Sequence, residues 1–259
     1  MRPRAIASRD NPLLVRLRRL AQTPAAYRRL GQIWVEGDHL GRAALARGVP
    51  LALAIGTEAA WADPDLAPLL GAAREGVVVP APLLAACSTL ASPAPLGFVL
   101  DLPAPAAPAQ GVSSVVLDGV QDAGNVGSVL RSAAALGVEQ VLALASTAAL
   151  WSPKVLRAGM GAHFGLRLVE SLVPEDLDAL GVPLLATSPH AGIALPEAEL
   201  PAPCAWVFGH EGQGVTPEVS QRCALTLRIP QPGGEESLGV AAAAAICLYE
   251  SARRAHARR

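Results

Sequence analysis

The stretch Leu227–Glu250, which reads LRIPQPGGEESLGVAAAAAICLYE, decides the fold of this chain. It contains the end of a short apolar strand that stops at Pro230, then a polar glycine-rich loop, then an alanine-rich helix predicted to open at Ser237. A strand, a loop rich in backbone groups and a helix N-terminus, in that order, can hold a polar ligand. Because many α/β proteins contain such a unit without a ligand, the stretch needs support from other motifs.

Composition limits the class of protein. The chain has 259 residues, of which 51% are hydrophobic, enough for one large domain or two modest ones. No apolar run approaches the roughly 20 residues that span a bilayer, and the N-terminus lacks the apolar core of a signal peptide, so we expect a cytoplasmic protein. The four cysteines form no CxxC pair. We therefore expect buried small residues rather than a zinc site or a disulfide framework.

The charge is unevenly distributed along the chain. Residues 1–50 carry ten arginines against three acidic residues, a net charge of +7, whereas residues 51–252 carry a net charge of −12. The last seven residues add four arginines, so the formal net charge is −1. Arginine forks bind phosphates, and basic charge at both ends of the chain therefore favours a polyanion partner. An arginine-rich solvated surface is the alternative interpretation.

Apolar strands alternate with helices in both halves of the chain. Residues 11–21 predict a helix with Asn11 as its N-cap and arginines on its solvent face. The proline-rich stretch 103–111 has no periodicity and predicts a linker. We therefore predict an N-terminal domain over 1–102, a linker over 103–111 and a C-terminal domain over 112–259. Strands alternating with helices in the C-terminal domain favour a mainly parallel sheet.

Three polar loops follow predicted strands of the C-terminal domain. They are Asp118–Asn125, Gly209–Gly214 and Pro230–Glu236. Ligands of parallel sheets bind beyond the carboxyl ends of the strands, so these loops are candidates for one shared site.

Common nucleotide motifs do not fit these loops. Gly209 and Gly214 have the spacing of a P-loop, but Val215 and Thr216 stand where lysine and then serine or threonine are required. No G-x-G-x-x-G opens a helix after the first strand of the C-terminal domain, so a dinucleotide fingerprint is missing as well. Lys154 is the only lysine of the sequence, whereas Rossmann-type ribose methyltransferases typically use paired lysines.

Taken together, the motifs resemble those of the SpoU (TrmH-type) RNA ribose 2′-O-methyltransferases of the SPOUT class. The first motif of that family is matched by LDGVQDAGNVGSVLRSAAALG at 117–137, the second by VFGHEGQGV at 207–215, and the third by the stretch at 227–250. ASRDNPLLVRLRRL, WVEGDHL at 34–40 and STLASP at 88–93 are similar to the small RNA-binding domain often attached in this family. The resemblance thus covers nearly the whole chain.

The resemblance implies a fold and an activity. We expect a C-terminal SPOUT-type α/β domain with a deep trefoil knot, preceded by a small N-terminal α/β RNA-binding (L30e-like) domain. The implied reaction transfers a methyl group from S-adenosyl-L-methionine (AdoMet) to a ribose 2′-hydroxyl, of ribosomal RNA rather than transfer RNA. The implied assembly is a homodimer, and no metal is expected.

The resemblance also implies site residues. Backbone groups and apolar side chains that would hold the bent cofactor are expected at Thr187, Gly209, Ile229 and Leu238. Residues expected to carry the chemistry are Asn125, Arg131, Glu211 and Ser237. Basic residues expected to bind RNA are Arg9, Arg16, Arg18 and Arg19.

Several of these residues have a second interpretation. Arg131 is either the base that accepts the hydroxyl proton, which is unusual for a guanidinium, or a phosphate clamp while water removes the proton. Asn125 and Ser237 stand where helix N-caps are expected, so capping would also explain them. His163 and His210 could suggest a metal, but neither has a second ligand at a helical or strand spacing.

One position departs from the family pattern. The third motif usually reads SLNVS, whereas this chain has SLGVA, with Gly239 in place of the asparagine. The alternative function is therefore an RNA-binding or ribosome-assembly protein of the same fold with weak or lost catalysis.

Overall fold

A computed structural model describes residues 2–188, 192–234 and 237–257. The chain forms two compact units, one of Met1–Ala104 with Trp151–Phe164 and one of Pro105–Leu150 with Gly165–Arg259. None of the helices in the described ranges combines the length and apolar character needed to cross a membrane.

The N-terminal part, as described from residue 2 onward, contains five strands and six helices. In chain order they are β1 (Arg4–Ala5), α1 (Pro12–Gln22), α2 (Ala26–Leu30), β2 (Gln32–Glu36), α3 (Asp38–Ala46), β3 (Leu53–Gly56), α4 (Glu58–Ala62), α5 (Ala67–Gly71), β4 (Glu75–Val78), α6 (Ala81–Ala85) and β5 (Leu96–Asp101). The strands form a mixed sheet in the order β1-β4-β3-β5-β2, in which β5 runs antiparallel to both its neighbours.

The remainder of the chain continues the alternation. Its elements are β6 (Ser114–Asp118), α7 (Ala123–Ala135), β7 (Gln140–Leu144), α8 (Pro153–Gly159), β8 (Arg167–Leu172), β9 (Leu184–Thr187), β10 (Ile193–Ala194), β11 (Ala205–Gly209), α9 (Pro217–Ser220), β12 (Cys223–Arg228) and α10 (Val240–Ala257). Two 3₁₀ helices span Ala162–Gly165 and Pro174–Leu180.

Helix α1 has the amphipathic pattern predicted for it. The side chain of Asn11 accepts a hydrogen bond from the amide of Leu13 at 3.0 Å, as an N-cap does. Four leucines of the helix are buried in the first unit, whereas Arg16 and Arg19 are exposed. The apolar stripe therefore fixes which face of the helix carries the arginines.

Helix α8 belongs to the first unit although it follows β7 in the chain. Val155 and Leu156 are buried, and the helix contacts β2 and α1. Arg157 donates a hydrogen bond to the hydroxyl of Thr89 at 3.3 Å. Residues 151–164 were predicted from the sequence to belong to the C-terminal domain over 112–259. They lie with the first unit because that is where their apolar side chains find a core.

The second unit is built on a seven-stranded sheet in the order β10-β12-β9-β11-β6-β7-β8. All of its neighbouring strands are parallel, which confirms the predicted parallel sheet. From β6 the chain continues outward through β7 and β8, whereas β11, β9 and β12 lie on the other side of β6. The boundary between β6 and β11 is therefore a topological switch point, where parallel sheets bind ligands.

Two segments flank β12 on its two edges. The amide of Ser188 donates to the carbonyl of Leu227 at 3.0 Å, and Ile193 of β10 pairs with the same Leu227 from the opposite edge. Residues on either side of positions 189–191 thus lie on opposite edges of β12. Gly192 passes so close to β12 that an added Cβ would lie 2.2 Å from the carbonyl oxygen of Thr226.

The predicted start of the last helix was wrong by three residues. Helix α10 begins at Val240 rather than at Ser237, and the amide of Ala243 donates to the carbonyl of Gly239 at 3.0 Å. Gly239, and not Ser237, therefore occupies the position before the first helical residue. The helix packs against α7 and β11, and Ser251 accepts a hydrogen bond from the indole of Trp206 at 2.9 Å.

Candidate functional site

Two predicted catalytic residues meet at the switch point. Asn125 lies in the first turn of α7, which follows β6, and Glu211 lies two residues after the end of β11. The side-chain amide of Asn125 donates to a carboxylate oxygen of Glu211 at 3.1 Å. Because β6 and β11 are neighbours, with Asp118 opposite Gly209, their carboxyl ends bring these residues together although they are 86 positions apart.

Glu211 also receives two backbone hydrogen bonds. The amides of Gln121 and Asp122 donate to its two carboxylate oxygens at 3.4 and 3.3 Å. The carboxylate thus bridges the loop after β6 and the loop after β11. Three donors on one acceptor set both the position and the orientation of the carboxylate.

The hydrogen bonds keep Glu211 ionised. Its burial would raise its pKa, but the hydrogen bonds from Asn125 and from backbone amides outweigh burial, so the pKa lies below its ordinary value. A carboxylate with a lowered pKa is a weak proton acceptor and a good hydrogen-bond acceptor. The arrangement therefore orients groups better than it removes protons.

Asp122, and not Asn125, caps helix α7. Its side chain accepts a hydrogen bond from the amide of Asn125 at 2.8 Å, and the helix begins at Ala123. The capping interpretation of Asn125 is therefore wrong, because its side chain turns to Glu211 instead. The aspartate three residues before the asparagine was a sequence signal for this arrangement.

The loop after β11 folds back on its own strand. His210 and Gly214 exchange two backbone hydrogen bonds, at 2.9 and 2.8 Å. A Cβ on Gly209 would lie 2.1–2.2 Å from backbone atoms of Gly214 and Val215, so only glycine permits this approach. The turn is closed by Nδ1 of His210, which accepts from the amides of Gly212 and Gln213 at 3.0 and 3.3 Å.

Asp118, the last residue of β6, connects this strand with the loop after β11. It is only 2% exposed, and its Oδ2 accepts a hydrogen bond from the amide of Thr216 at 2.7 Å. Thr147 extends the network, because its hydroxyl donates to the carbonyl of Leu117 and accepts from the amide of Gly119. Asp118, Thr147 and His210 are not among the site residues predicted from the sequence. A buried acid at the end of an apolar strand was the available signal for Asp118.

The predicted cofactor residues lie at the ends of three neighbouring strands. Thr187 ends β9, Gly209 ends β11 and Ile229 follows β12, and these strands are adjacent in the order β12-β9-β11. Thr187 and Ile229 are half-buried, and Leu238 is 39% exposed. Ile229 and Leu238 offer partly exposed apolar side chains beside the carboxyl ends of these strands, which suits an aromatic ring with polar edges, so these residues fit an adenosyl group.

Arg131 and Ser237 form no hydrogen bond with Asn125 or Glu211 within the described residues. Arg131 is exposed on α7, and its guanidinium forms no hydrogen bond or ion pair within residues 2–188, 192–234 and 237–257. Ser237 is exposed before α10 and has no hydrogen bond to that same part of the chain. Their catalytic roles remain predictions.

The predicted RNA-binding arginines lie on the first unit. Arg9, Arg16 and Arg19 are exposed, whereas Arg18 is half-buried and donates to the carbonyl of Arg9 at 2.9 Å. Arg18 therefore holds the segment before α1 as well as contributing charge.

Similarity to known proteins covers nearly the whole chain. The SpoU rRNA Methylase family matches residues 113–249. An uncharacterized tRNA/rRNA methyltransferase of Synechocystis is 35% identical over 96% of this chain and 93% of its own length. The 23S rRNA (guanosine(2553)-2′-O)-methyltransferase RlmP of Bacillus subtilis is 36% identical, but the match covers only 52% of this chain and 56% of that relative.

Solved structures share the fold over nearly the full length. A TrmH-family protein from Porphyromonas gingivalis is 32% identical, with a TM-score of 0.81 over 95% of this chain and 98% of that one. The SpoU methyltransferase AviRb from Streptomyces viridochromogenes, solved with AdoMet, is 24% identical, with a TM-score of 0.86 over 95% of this chain and 98% of its own.

Proposed function

The chain belongs to the SpoU rRNA Methylase family and is an AdoMet-dependent RNA 2′-O-methyltransferase, and we propose that its substrate is ribosomal RNA. Several relatives are named 23S rRNA guanosine 2′-O-methyltransferases. An rRNA substrate would place the protein in the cytoplasm, as its sequence leads us to expect.

The Asn125–Glu211 pair is the observation that carries this proposal. It lies at the switch point between β6 and β11, and the predicted cofactor residues lie at the ends of β11, β9 and β12. Gly209, a predicted cofactor residue, ends β11, and Glu211 of the polar pair lies in the loop that follows it. A methyl donor and an oriented hydroxyl need this kind of adjacency, because the reaction depends mainly on alignment.

When bound, AdoMet supplies a methyl group that is already activated on a sulfonium. We assign the holding of its adenosyl group to the backbone at Thr187 and Gly209, with the side chains of Ile229 and Leu238 flanking the ring. Asn125 and Glu211 then orient the ribose at the hydroxyl that reacts. Ser237, which precedes α10, is assigned to the same site as a hydrogen-bonding group.

Arg131 is assigned the role of phosphate clamp. An exposed guanidinium stays cationic, which makes it a poor base and a good partner for a phosphate of the substrate. In this scheme water accepts the hydroxyl proton. In the alternative scheme Arg131 itself is the base. Its guanidinium would then have to lose its proton, which requires a neighbouring group or burial that favours the neutral form, and this exposed side chain has neither within the described residues.

The finer architecture belongs to the same proposal. The trefoil knot is supported by the position of Ser188 and Ile193, which lie on opposite edges of β12 although they are only five positions apart in the chain. The L30e-like RNA-binding role of the first unit is supported by its mixed α/β architecture and by the exposed arginines of α1.

A homodimer is supported by an apolar stripe on α10. Ala242, Ile246 and Tyr249 follow one another at helical spacing, and all three are exposed, Tyr249 by 60%. Exposed apolar side chains repeated along one helix face are typical of interaction surfaces. We therefore assign this face to self-association.

Methyl transfer to RNA tests the function. The purified chain should transfer label from AdoMet to ribosomal RNA, and nucleoside analysis should find the methyl group on the ribose. Arg131→Ala should abolish transfer while leaving AdoMet affinity, measured by calorimetry, within about twofold. Binding of AdoMet and RNA without any transfer by the unmodified protein would instead favour the binding or assembly role that Gly239 suggested.

A further inference from the structure

The loop that carries Glu211 is a turn whose conformation depends on hydrogen bonds. Residues 211–214 are all exposed, so burial of apolar side chains does not hold them in place. Four hydrogen bonds within the turn involve His210. Two of them join its backbone to that of Gly214, and the other two are accepted by its Nδ1. His210 is therefore the residue that closes the turn.

The imidazole ring of His210 lies against the turn. An added Cβ on Gly212 would lie 3.8 Å from both Nδ1 and Cε1 of the ring. Backbone amides can only donate, so Nδ1 is the acceptor in both of its bonds, and a neutral ring carries its proton on Nε2. A ring that is protonated on both nitrogens has no acceptor. The closed turn and the imidazolium therefore exclude each other.

Glu211 lies in the chain between the acceptor and its two donors. The path of the backbone through the turn decides where the Glu211 side chain leaves the loop, and its carboxylate must reach the side-chain amide of Asn125 at 3.1 Å. Gly209 is held differently, because it belongs to β11 and pairs with β6. Opening of the turn would therefore affect Glu211 much more than Gly209.

We propose that His210 is a positioning residue for RNA methylation. Its neutral ring, protonated on Nε2, keeps Glu211 against Asn125, and uptake of a second proton opens the turn and releases Glu211. The inference rests on the proposed function, which assigns orientation of the ribose to Asn125 and Glu211. Imidazoles take up a second proton between about pH 5 and 8. Methylation should therefore decline with falling pH in a way that depends on His210.

The other titratable groups around this turn are carboxylates. Asp118 lines the same cavity of the second unit as His210, and Asp122 lies between β6 and α7. Hydrogen bonds lower the pKa of Glu211 in spite of its burial, so this residue stays ionised down to about pH 5. Residues 145–149, in the loop after β7, have no titratable side chain. Because a His210 variant retains these carboxylates, comparison of its pH profile with that of the unmodified protein isolates the ring.

His210→Asn and His210→Ala form the test pair. The side-chain oxygen of asparagine is as many bonds from the backbone as Nδ1, accepts from the same amides and takes up no proton in this pH range. At pH 8 we expect kcat/KM for rRNA methylation to fall about tenfold in His210→Ala and to stay within about threefold in His210→Asn. AdoMet affinity, measured by calorimetry, should stay within about threefold in both variants, because Gly209 keeps its strand pairing.

A pH series distinguishes positioning from packing. Between pH 8 and 5.5 the unmodified protein should lose about tenfold more activity than His210→Asn does. His256→Asn is the matched control, because His256 is an exposed histidine of α10, and it should follow the profile of the unmodified protein. Equal pH profiles of His210→Asn and the unmodified protein would overturn the proposal.

The ring nitrogens provide a measurement that needs neither RNA nor AdoMet. In protein labelled with ¹⁵N-histidine, the signals that His210→Asn lacks belong to His210. At pH 8 they should show a protonated Nε2 and an unprotonated Nδ1, and a protonated Nδ1 would overturn the proposal.

Failure of this inference differs from failure of the proposed function. A protein that methylates RNA equally well with and without His210→Ala would contradict the positioning role and leave the methyltransferase intact. An unmodified protein that binds AdoMet but methylates no RNA would contradict the proposed function, and the positioning role with it.

Discussion

The side-chain amide of Asn125 donates to the carboxylate of Glu211 at 3.1 Å, across the boundary between β6 and β11. This contact joins the first and second family motifs in one polar site. Its geometry depends on Asp122, which caps α7 and so directs the Asn125 side chain toward the loop after β11.

Glu211→Gln should impair catalysis more than stability. The glutamine keeps the shape of the glutamate but loses its charge. In the unmodified protein both carboxylate oxygens accept hydrogen bonds, and the amide nitrogen of glutamine cannot accept the bond of the oxygen that it replaces. Hydrogen bonds to a charged group are worth about 1.5–3 kcal/mol, so kcat/KM for RNA methylation should fall about 10- to 100-fold. Glu218→Gln, an exposed glutamate of α9, is the control. Equal activity of the two variants would remove Glu211 from the site.

Gly239→Asn should be accepted by the fold. An added Cβ at this position meets no heavy atom of the described chain within 4 Å, so the asparagine of the family pattern has room. If the missing amide limits catalysis, this variant should raise kcat without changing the melting temperature. Gly209→Ala is the opposite case, because its Cβ would collide with the backbone of Gly214. A Gly239→Asn protein with lower activity would mean that the glycine is itself required.

Arg16→Ala combined with Arg19→Ala should weaken RNA binding and reduce its salt dependence. Each lost phosphate contact lowers the slope of log affinity against log salt by about 0.7–0.9, so the double variant should lose about 1.5. Fluorescence anisotropy with labelled RNA at several salt concentrations measures this slope. Arg74→Ala is the control in the same unit, because Arg74 is paired with Asp101. Unchanged affinity of the double variant would leave these arginines as a solvated face.

Tyr249→Asp should dissociate the proposed homodimer. A charge at Tyr249, the most exposed residue of the apolar stripe of α10, must be desolvated on association, so the dimer dissociation constant should rise about 30-fold or more. Sedimentation velocity over a range of protein concentrations measures this change. Val173→Asp, another exposed apolar residue of the second unit, should have no effect. A protein that is monomeric without substitution would contradict the assignment.

Glu250→Gln should lower the melting temperature at neutral pH but not at about pH 2. Hydrogen bonds from Arg253 lower the pKa of Glu250 to about 2, against the opposing effect of burial and with help from Arg254. Folded Glu250 thus stays ionised below the ordinary glutamate pKa, where the unfolded chain takes up a proton. Its stabilising contribution is complete above about pH 4.5 and is lost as the pH falls toward 2.

Glu199→Gln is the control for this pH series, because Glu199 is exposed and forms no ion pair with the part of the chain that is described. A difference between Glu250→Gln and the unmodified protein that persists at pH 2 would show that packing, and not charge, is responsible. Arg254 also donates to the carbonyls of Leu195 and Ala198. Loss of the carboxylate of Glu250, the ion-pair partner of Arg254, would therefore also affect the segment that contains these two carbonyls.

Local patterns predicted most of the elements correctly. Asn11 caps the first helix as predicted, and the strands of the second unit form the parallel sheet that the alternation predicted. Strand β8 has no clear signal in the sequence, because Arg167–Leu172 is half-exposed and follows no clear alternation. The start of α10 was misplaced because serine is a common N-cap, whereas the first helical hydrogen bond of this helix is accepted by Gly239.

The sequence by itself determined the parallel sheet, the three motif loops and the residues that the family resemblance carries, because these depend on spacing and residue type within short segments. Only the tertiary structure decided which of those residues meet. Asn125 contacts Glu211 and Asp118 holds Thr216 because β6 and β11 are neighbours in the sheet, which follows from strand order and from no local pattern. The placement of α8 with the first unit has the same origin, since an apolar helix lies wherever the folded chain offers it a core.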